Sequence, residues 1–214
     1  MPKVVYTKED VVAAGITLVR RSGMTQLTAR GVAEVLGSST APVYSNFATM
    51  EELAEAVKRA AVRELLGLMR RGHTGDAFLD MGVGVLTFVW EWPRLYAALF
   101  LAPAAGYDPG LDLMDELTAA LDGLPELEPL SRDERVLVLK KVAIFTHGLA
   151  TEICHGCGPD CSLDTLVLLL KEVGRALLAD AQAGHPRAPR EAALLAALAC
   201  GGGDAPAPNP KDMR

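Results

Sequence analysis

The stretch LTARGVAEVLGSSTAPVYSNFATMEEL, residues 27–53, decides the fold. Thr28 stands where a helix N-cap stands, because its hydroxyl can accept from a free backbone N–H one turn on. Val32, Val35 and Leu36 follow at the i, i+3, i+4 spacing of an inward helical face. Gly37 stops that helix, since a C-terminal turn there needs a residue that tolerates positive φ. Ser39 is expected to cap the next helix, with Pro42 in its first turn, where a missing N–H costs little. Val43 and Phe47 then point inward, and Thr40, Ala41, Tyr44 and Ser45 outward. Thr49 and Glu52 have capping-box spacing and open a third helix. Helix, tight turn, helix is the arrangement whose second helix enters the DNA major groove.

Working outward, Thr7 caps a helix over the preceding segment, with Asp10 in its first turn and Val12, Ile16 and Val19 on one face. Arg20 and Arg21 favour its C-terminal dipole, and Ser22-Gly23 stops it. The three helices make a small head. Downstream, Leu53, Val57, Ala60, Ala61, Leu65 and Leu68 form a stripe from Met50 to about Arg71, too long for the head alone. Asp76 to Trp92 reads as a helix, with Pro93 as a break or the start of its successor. The segment WEWPRLYAALFLAP holds Trp90, Trp92, Tyr96 and Phe100, either as plain core or as the wall of an apolar pocket. A loop from Ala102 to Pro109, a short helix from Leu111 to Leu121 and a Pro-containing loop follow.

Ser131 and Glu134 form a second capping box. The helix they open runs to Cys154 and is apolar on several faces, as is the stretch from Ser162 to Ala183. Two such helices need more cover than one small body supplies, which predicts a C2 homodimer sharing a four-helix bundle. Residues 187–199 read as a further Ala/Leu helix and residues 200–214 as a flexible tail.

The net charge of −6 is unequally spread: residues 1–50 carry five Lys/Arg and three Asp/Glu, a balance of +2 that leaves −8 for the rest. A mildly basic head on an acidic body suits a protein that touches DNA with one end. No apolar run is long enough to span a bilayer, and the N-terminus lacks a signal segment, so a cytoplasmic protein with no membrane partner is expected. There is no P-loop, GxGxxG after a strand, HExxH or GxSxG, so neither an enzyme nor a cofactor is expected.

The head resembles the N-terminal domain of TetR-family transcriptional regulators. Gly23, Leu27-Thr28, Val32-Ala33, Leu36-Gly37 with Ser39, Tyr44, Asn46-Phe47, Glu51 and Leu53 carry the likeness. It departs at Asn46, where the family usually has His, and at Met50, where it usually has a phosphate-contacting Lys. The resemblance implies an all-α protein: a three-helix helix-turn-helix domain over 1–50 and a helical effector-binding and dimerisation domain over 51–199. It implies a one-component regulator, a repressor by expectation, that holds a palindromic double-stranded operator as a homodimer until a small-molecule effector releases it.

Within the recognition helix no Lys or Arg is present. DNA contact is therefore expected from Thr28, Ser39, Thr40, Ala41, Tyr44, Ser45 and Asn46, with hydroxyls and thymine-facing methyl groups reading bases. An effector is expected among Trp90, Tyr96, Phe100, Met114 and Phe145, with His147 as its polar group. CHGCGPDC supplies Cys154, Cys157 and Cys161, which could hold a soft metal or form a disulfide. The alternative function is accordingly a helical thiol- or metal-responsive protein acting through that cluster.

Overall fold

The computed structural model describes residues 5–102, 107–158 and 161–184, together with Ala193 and Leu195. Most of the helix expected over 187–199, and the whole tail over 200–214, lie outside the described residues. Nine α-helices are described: α1 (Lys8–Ser22), α2 (Ala29–Leu36), α3 (Ala41–Asn46), α4 (Met50–Met69), α5 (Ala77–Glu91), α6 (Pro93–Phe100), α7 (Pro109–Ala120), α8 (Arg132–Cys154) and α9 (Leu163–Ala183). Short 3-10 turns lie at Met24–Gln26, Leu121–Gly123 and Pro125–Leu127, and no strand occurs among the described residues.

The helix starts are where the side chains dictate. Thr7 and Ser131 each complete a reciprocal capping box, with Asp10 and Glu134. Thr49 accepts from the Glu52 N–H, but the Glu52 carboxylate turns back to the Ala48 N–H at 2.9 Å, one residue beyond the box. Ser39 is not the cap of α3. Thr40 holds that position without a side-chain bond, and the Ser39 hydroxyl accepts from the Ala41 N–H at 3.4 Å. Gly37, at φ +63°, closes α2 in the left-handed conformation. Pro93 opens α6, and Pro109 sits in the first turn of α7, two residues ahead of the expected start.

The head is α1 crossing α2 and α3, with the first half of α4 completing its core. Val11, Val19, Val32, Val43, Leu53 and Val57 are all fully or almost fully buried there. The inward face of α1 is centred on Val11, Leu18 and Val19, while Val12 is only half-buried. α4 then leaves the head, and Leu65, Leu68 and Met69 enter the body formed by α5 to α9. There α5 is buried along most of its length, with α4 on one side and α8 and α9 on others. Gly84 makes the α4–α5 contact possible: a Cβ there would lie 2.5 Å from the backbone N and Cα of Met69.

α8 and α9 form the hairpin expected from their caps. Val136, Leu137, Val138, Leu139, Val142 and Ala150 of α8 face inward, as do Leu166 and Leu170 of α9. Other apolar side chains on the same pair face out: Ile144 is 73% exposed, Leu168 55% and Leu169 40%. No helix among the described residues is long and apolar enough to cross a membrane.

Candidate nucleic-acid interface and effector cavity

The outer face of the head is built by burying the other face. Val43 and Phe47 anchor α3 at 1% and 3% exposure, which turns Thr40, Ala41, Tyr44 and Ser45 outward. Ser39 is exposed beside them, and Tyr44 presents 59% of its surface. Thr28 is exposed as well, with its hydroxyl accepting from the Gly31 N–H at 3.1 Å.

Asn46 is differently placed. It is half-buried, and its amide donates to the Pro42 carbonyl at 2.8 Å and the Tyr6 carbonyl at 3.2 Å. Tyr6 in turn donates its hydroxyl to the Leu36 carbonyl at 2.9 Å, satisfying one of the free carbonyls at the end of α2. Tyr6 and Asn46 thus clamp the segment ahead of α1 across both helices of the motif. Tyr6 was not legible as such from the sequence, because the contact spans 30 residues.

The cations of the head do not all face outward. Arg20 pairs with Glu64 of α4 and stacks its guanidinium 3.9 Å from the Trp92 ring centroid. Arg94 of α6 donates to the Arg21 carbonyl at 2.6 Å. These contacts hold the end of α1 against the body. Lys8 lies 4.8 Å above the Phe47 ring, close to the end of α3, and Arg21 and Arg30 are exposed.

Inside the body is an apolar cavity of about 180 Å³. Tyr96, Phe100, Met114 and His147 are on its wall; Trp90 and Phe145 are not. Trp90 is 40% exposed on the outside of α5, and Phe145 lies half-buried on another face of α8. α4 contributes Leu65 and Met69, and α5 contributes Phe78 and Met81. The aromatic cluster marks α5–α6 in the sequence and Met114 marks α7, but the α4 side of the cavity carries no such signal.

The cavity's polar end is a pair. The Tyr96 hydroxyl and His147 Nδ1 lie 2.8 Å apart, and the Thr146 hydroxyl, also on the wall, donates to the Val142 carbonyl. Burial lifts the Tyr96 phenol well above its usual range, with nearby Cys154 adding to the shift, so the hydroxyl stays protonated at neutral pH.

The cysteine turn resolves differently from a CxxC reading. Cys157 is disulfide-bonded to Cys161, and Cys154 is free, half-buried at the end of α8, with its thiol raised in pKa by burial. Among the described residues no three His, Cys, Asp or Glu side chains gather as metal ligands.

No family model matches the chain. An HTH-type transcriptional regulator of Mycobacterium tuberculosis, itself uncharacterised, is 27% identical over 121 residues, covering 55% of this chain and 53% of that protein. The chain thus spans about half the length of the curated relative it matches. A TetR-family regulator from Streptomyces coelicolor superposes with a TM-score of 0.63 at 21% identity, over 96% of this chain and 92% of that one. The chain has the TetR-family fold. A TetR variant from Acinetobacter baumannii, solved in complex with minocycline, superposes at 0.56 with 18% identity, over 82% and 96% of the two chains. All three are transcriptional regulators rather than enzymes. In the TetR-family fold the head described above is the helix-turn-helix domain, and the body is the helical C-terminal domain.

Proposed function

We propose that this protein is a one-component transcriptional regulator that binds a palindromic operator as a homodimer and represses until an effector enters the body. The observation that carries the reading is the outer face of α3. A short helix is pinned from beneath by Val43 and Phe47 and from the side by Asn46 and Tyr6, and it presents Thr40, Ala41, Tyr44 and Ser45 to solvent. A rigid helix with hydroxyl and methyl groups on its free face is suited to base edges in the major groove.

Thr40, Ala41 and Ser45 are the base-reading residues in this proposal, with Ser39, Tyr44 and Thr28 on phosphates. Asn46 acts by holding α3 rather than by touching DNA. The second subunit is supported by the exposed Ile144, Leu168 and Leu169 of the α8–α9 hairpin, an apolar surface that an isolated body leaves in water. It is supported too by the thin positive charge of one head, which calls for two heads on one operator. The alternative of a metal-responsive protein finds no gathered ligand set among the described residues.

Selection of bound fragments from random double-stranded DNA tests the proposal. An inverted repeat, with half-sites about one helical turn apart, is the expected product. Failure to enrich any sequence over several rounds overturns it.

A further inference from the structure

Among the described residues, the cavity lining contains no Asp, Glu, Lys or Arg. An ionised ligand group placed against the buried part of that wall loses its hydration and gains no counter-charge, a cost that excludes it unless it is paired, whereas the His147 end is exposed. The adjoining space shares Phe100, Gly110 and His147 with the cavity, and there Lys58 and Asp108, one of each sign, face the same volume. Size narrows the class further. Apolar cavities of roughly 150 Å³ take a single benzene ring, and drug-sized pockets begin near 300 Å³. At about 180 Å³ the inner cavity holds one substituted ring, and anything larger must extend past His147 into the adjoining space.

The polar end specifies one group. Tyr96 and His147 share a hydrogen bond of 2.8 Å whose proton sits on the phenol or on the imidazole, according to the histidine tautomer. With the first, the phenol oxygen is left as an acceptor; with the second, the phenol is free to donate. A ligand hydroxyl answers both arrangements, because it donates and accepts. A carboxylate answers only one, and a hydrocarbon leaves the pair unmatched.

Resting on the effector reading above, we infer that the effector is a compact, uncharged, monocyclic or similarly small apolar molecule carrying a hydroxyl group, which binds with that hydroxyl against Tyr96 and His147. Three matched probes test this on the full chain by calorimetry at neutral pH: 4-propylphenol, propylbenzene and 4-propylbenzoate. The phenol is expected to bind about tenfold more tightly than propylbenzene, the worth of one net hydrogen bond. The benzoate is expected to bind more weakly than either. Tyr96→Phe should erase the preference for the phenol over propylbenzene while leaving propylbenzene unchanged. Ala143→Phe, which fills the cavity from α8, should abolish binding of both; the Tyr96→Phe result decides alone where that variant fails to fold.

Benzoate binding as tight as the phenol, or no binding of any probe, overturns the inference. An equal preference in Tyr96→Phe overturns the role of the hydroxyl pair. DNA binding is measured separately on the same preparation. Operator binding without probe binding leaves the regulator standing and removes the ligand class. Probe binding that leaves operator affinity unchanged keeps the ligand class and removes effector release.

Discussion

Replacing Gly84 by Ala should loosen the protein by a mechanism visible in the backbone. The added Cβ would lie 2.5 Å from both N and Cα of Met69 and 2.7 Å from the carbonyl carbon of Leu68. Ordinary contact begins at 3.4 Å, so α4 and α5 must part by about 1 Å. The obstacle is the main chain of the last turn of α4 against the middle of α5, so no rotamer change relieves it. Overpacking of this kind costs about 1–3 kcal/mol, and the position belongs at the upper end of that range. The better helix propensity of Ala returns at most about 1 kcal/mol. A net loss of about 2 kcal/mol lowers Tm by about 4–8 °C in a chain of this length. Gly67 is the control. It is exposed on α4, and a Cβ added there would meet nothing within 4 Å. Gly67→Ala should therefore raise Tm by about 1–4 °C through helix propensity and the unfolded state. Thermal melts followed by far-ultraviolet circular dichroism measure both. A Gly84→Ala protein that melts at or above the parent refutes the reasoning, because the same substitution at Gly67 isolates the propensity contribution.

Three further outcomes are expected. Asp80 is buried, which pushes its carboxyl pKa up, but the Thr74 hydroxyl and N–H, with further help from His73, hold it below the usual range overall. A depressed folded pKa stabilises above the unfolded value and is lost as pH falls through the folded one, so Asp80→Asn should cost about 1–3 kcal/mol at pH 7. In denaturant titrations that gap should narrow below about pH 4; a gap independent of pH would remove the ionised carboxylate from the account. Ile144→Asp with Leu168→Asp should give a monomer by sedimentation with the helical signal retained. Leu170→Asp should unfold the chain instead, since Leu170 is fully buried against Gly82 of its own subunit; a double variant that remains dimeric would place the interface elsewhere. For DNA, Thr40→Ala should relax preference at one position per half-site and Tyr44→Phe should weaken all sequences alike. With two or three outward cations described per head, log K should fall against log salt with a slope of only about −4 to −5 for a dimer, and a slope near −10 would contradict the shallow ionic contribution.

The legible parts of this protein were those set by short-range chemistry. Thr7, Thr28, Thr49 and Ser131 cap helices because a hydroxyl and an N–H three residues on are brought together by local geometry alone. Gly37 and Pro42 act within one turn. Ser39 failed as a cap for a reason equally local: α3 begins one residue later, and its hydroxyl reaches the Ala41 N–H instead. What the sequence hid was set at long range. Leu170 is one of several apolar positions on α9, and only the proximity of Gly82 commits it to the subunit's own core. Arg20 counted as a head cation, yet Glu64 and Trp92, 44 and 72 residues away, turn it toward the body. Trp90 and Phe145 are aromatic like Tyr96 and Phe100, and no periodicity distinguishes the two that line the cavity from the two that do not.

Those long-range contacts also indicate how the two ends of the molecule can communicate. The cavity wall includes Leu65 and Met69 near the end of α4 and Tyr96 and Phe100 on α6. The same two helices hold the head: α4 begins in its core at Leu53 and Val57, and α6 is tied to α1 through Arg94 and the Arg21 carbonyl. Arg20, stacked on Trp92 between α5 and α6 and paired with Glu64 of α4, joins all of them at one point. Under the proposed effector release, a molecule in the cavity that displaced α4 or α6 would act on the supports of α1. Because packed helices shift as units rather than deform continuously, such a displacement would be passed to the head. In the proposed dimer, rotation of each head changes the separation of the two α3 helices, and a fixed half-site spacing makes DNA affinity sensitive to that separation. Such coupling requires the ligand to favour one arrangement over the other.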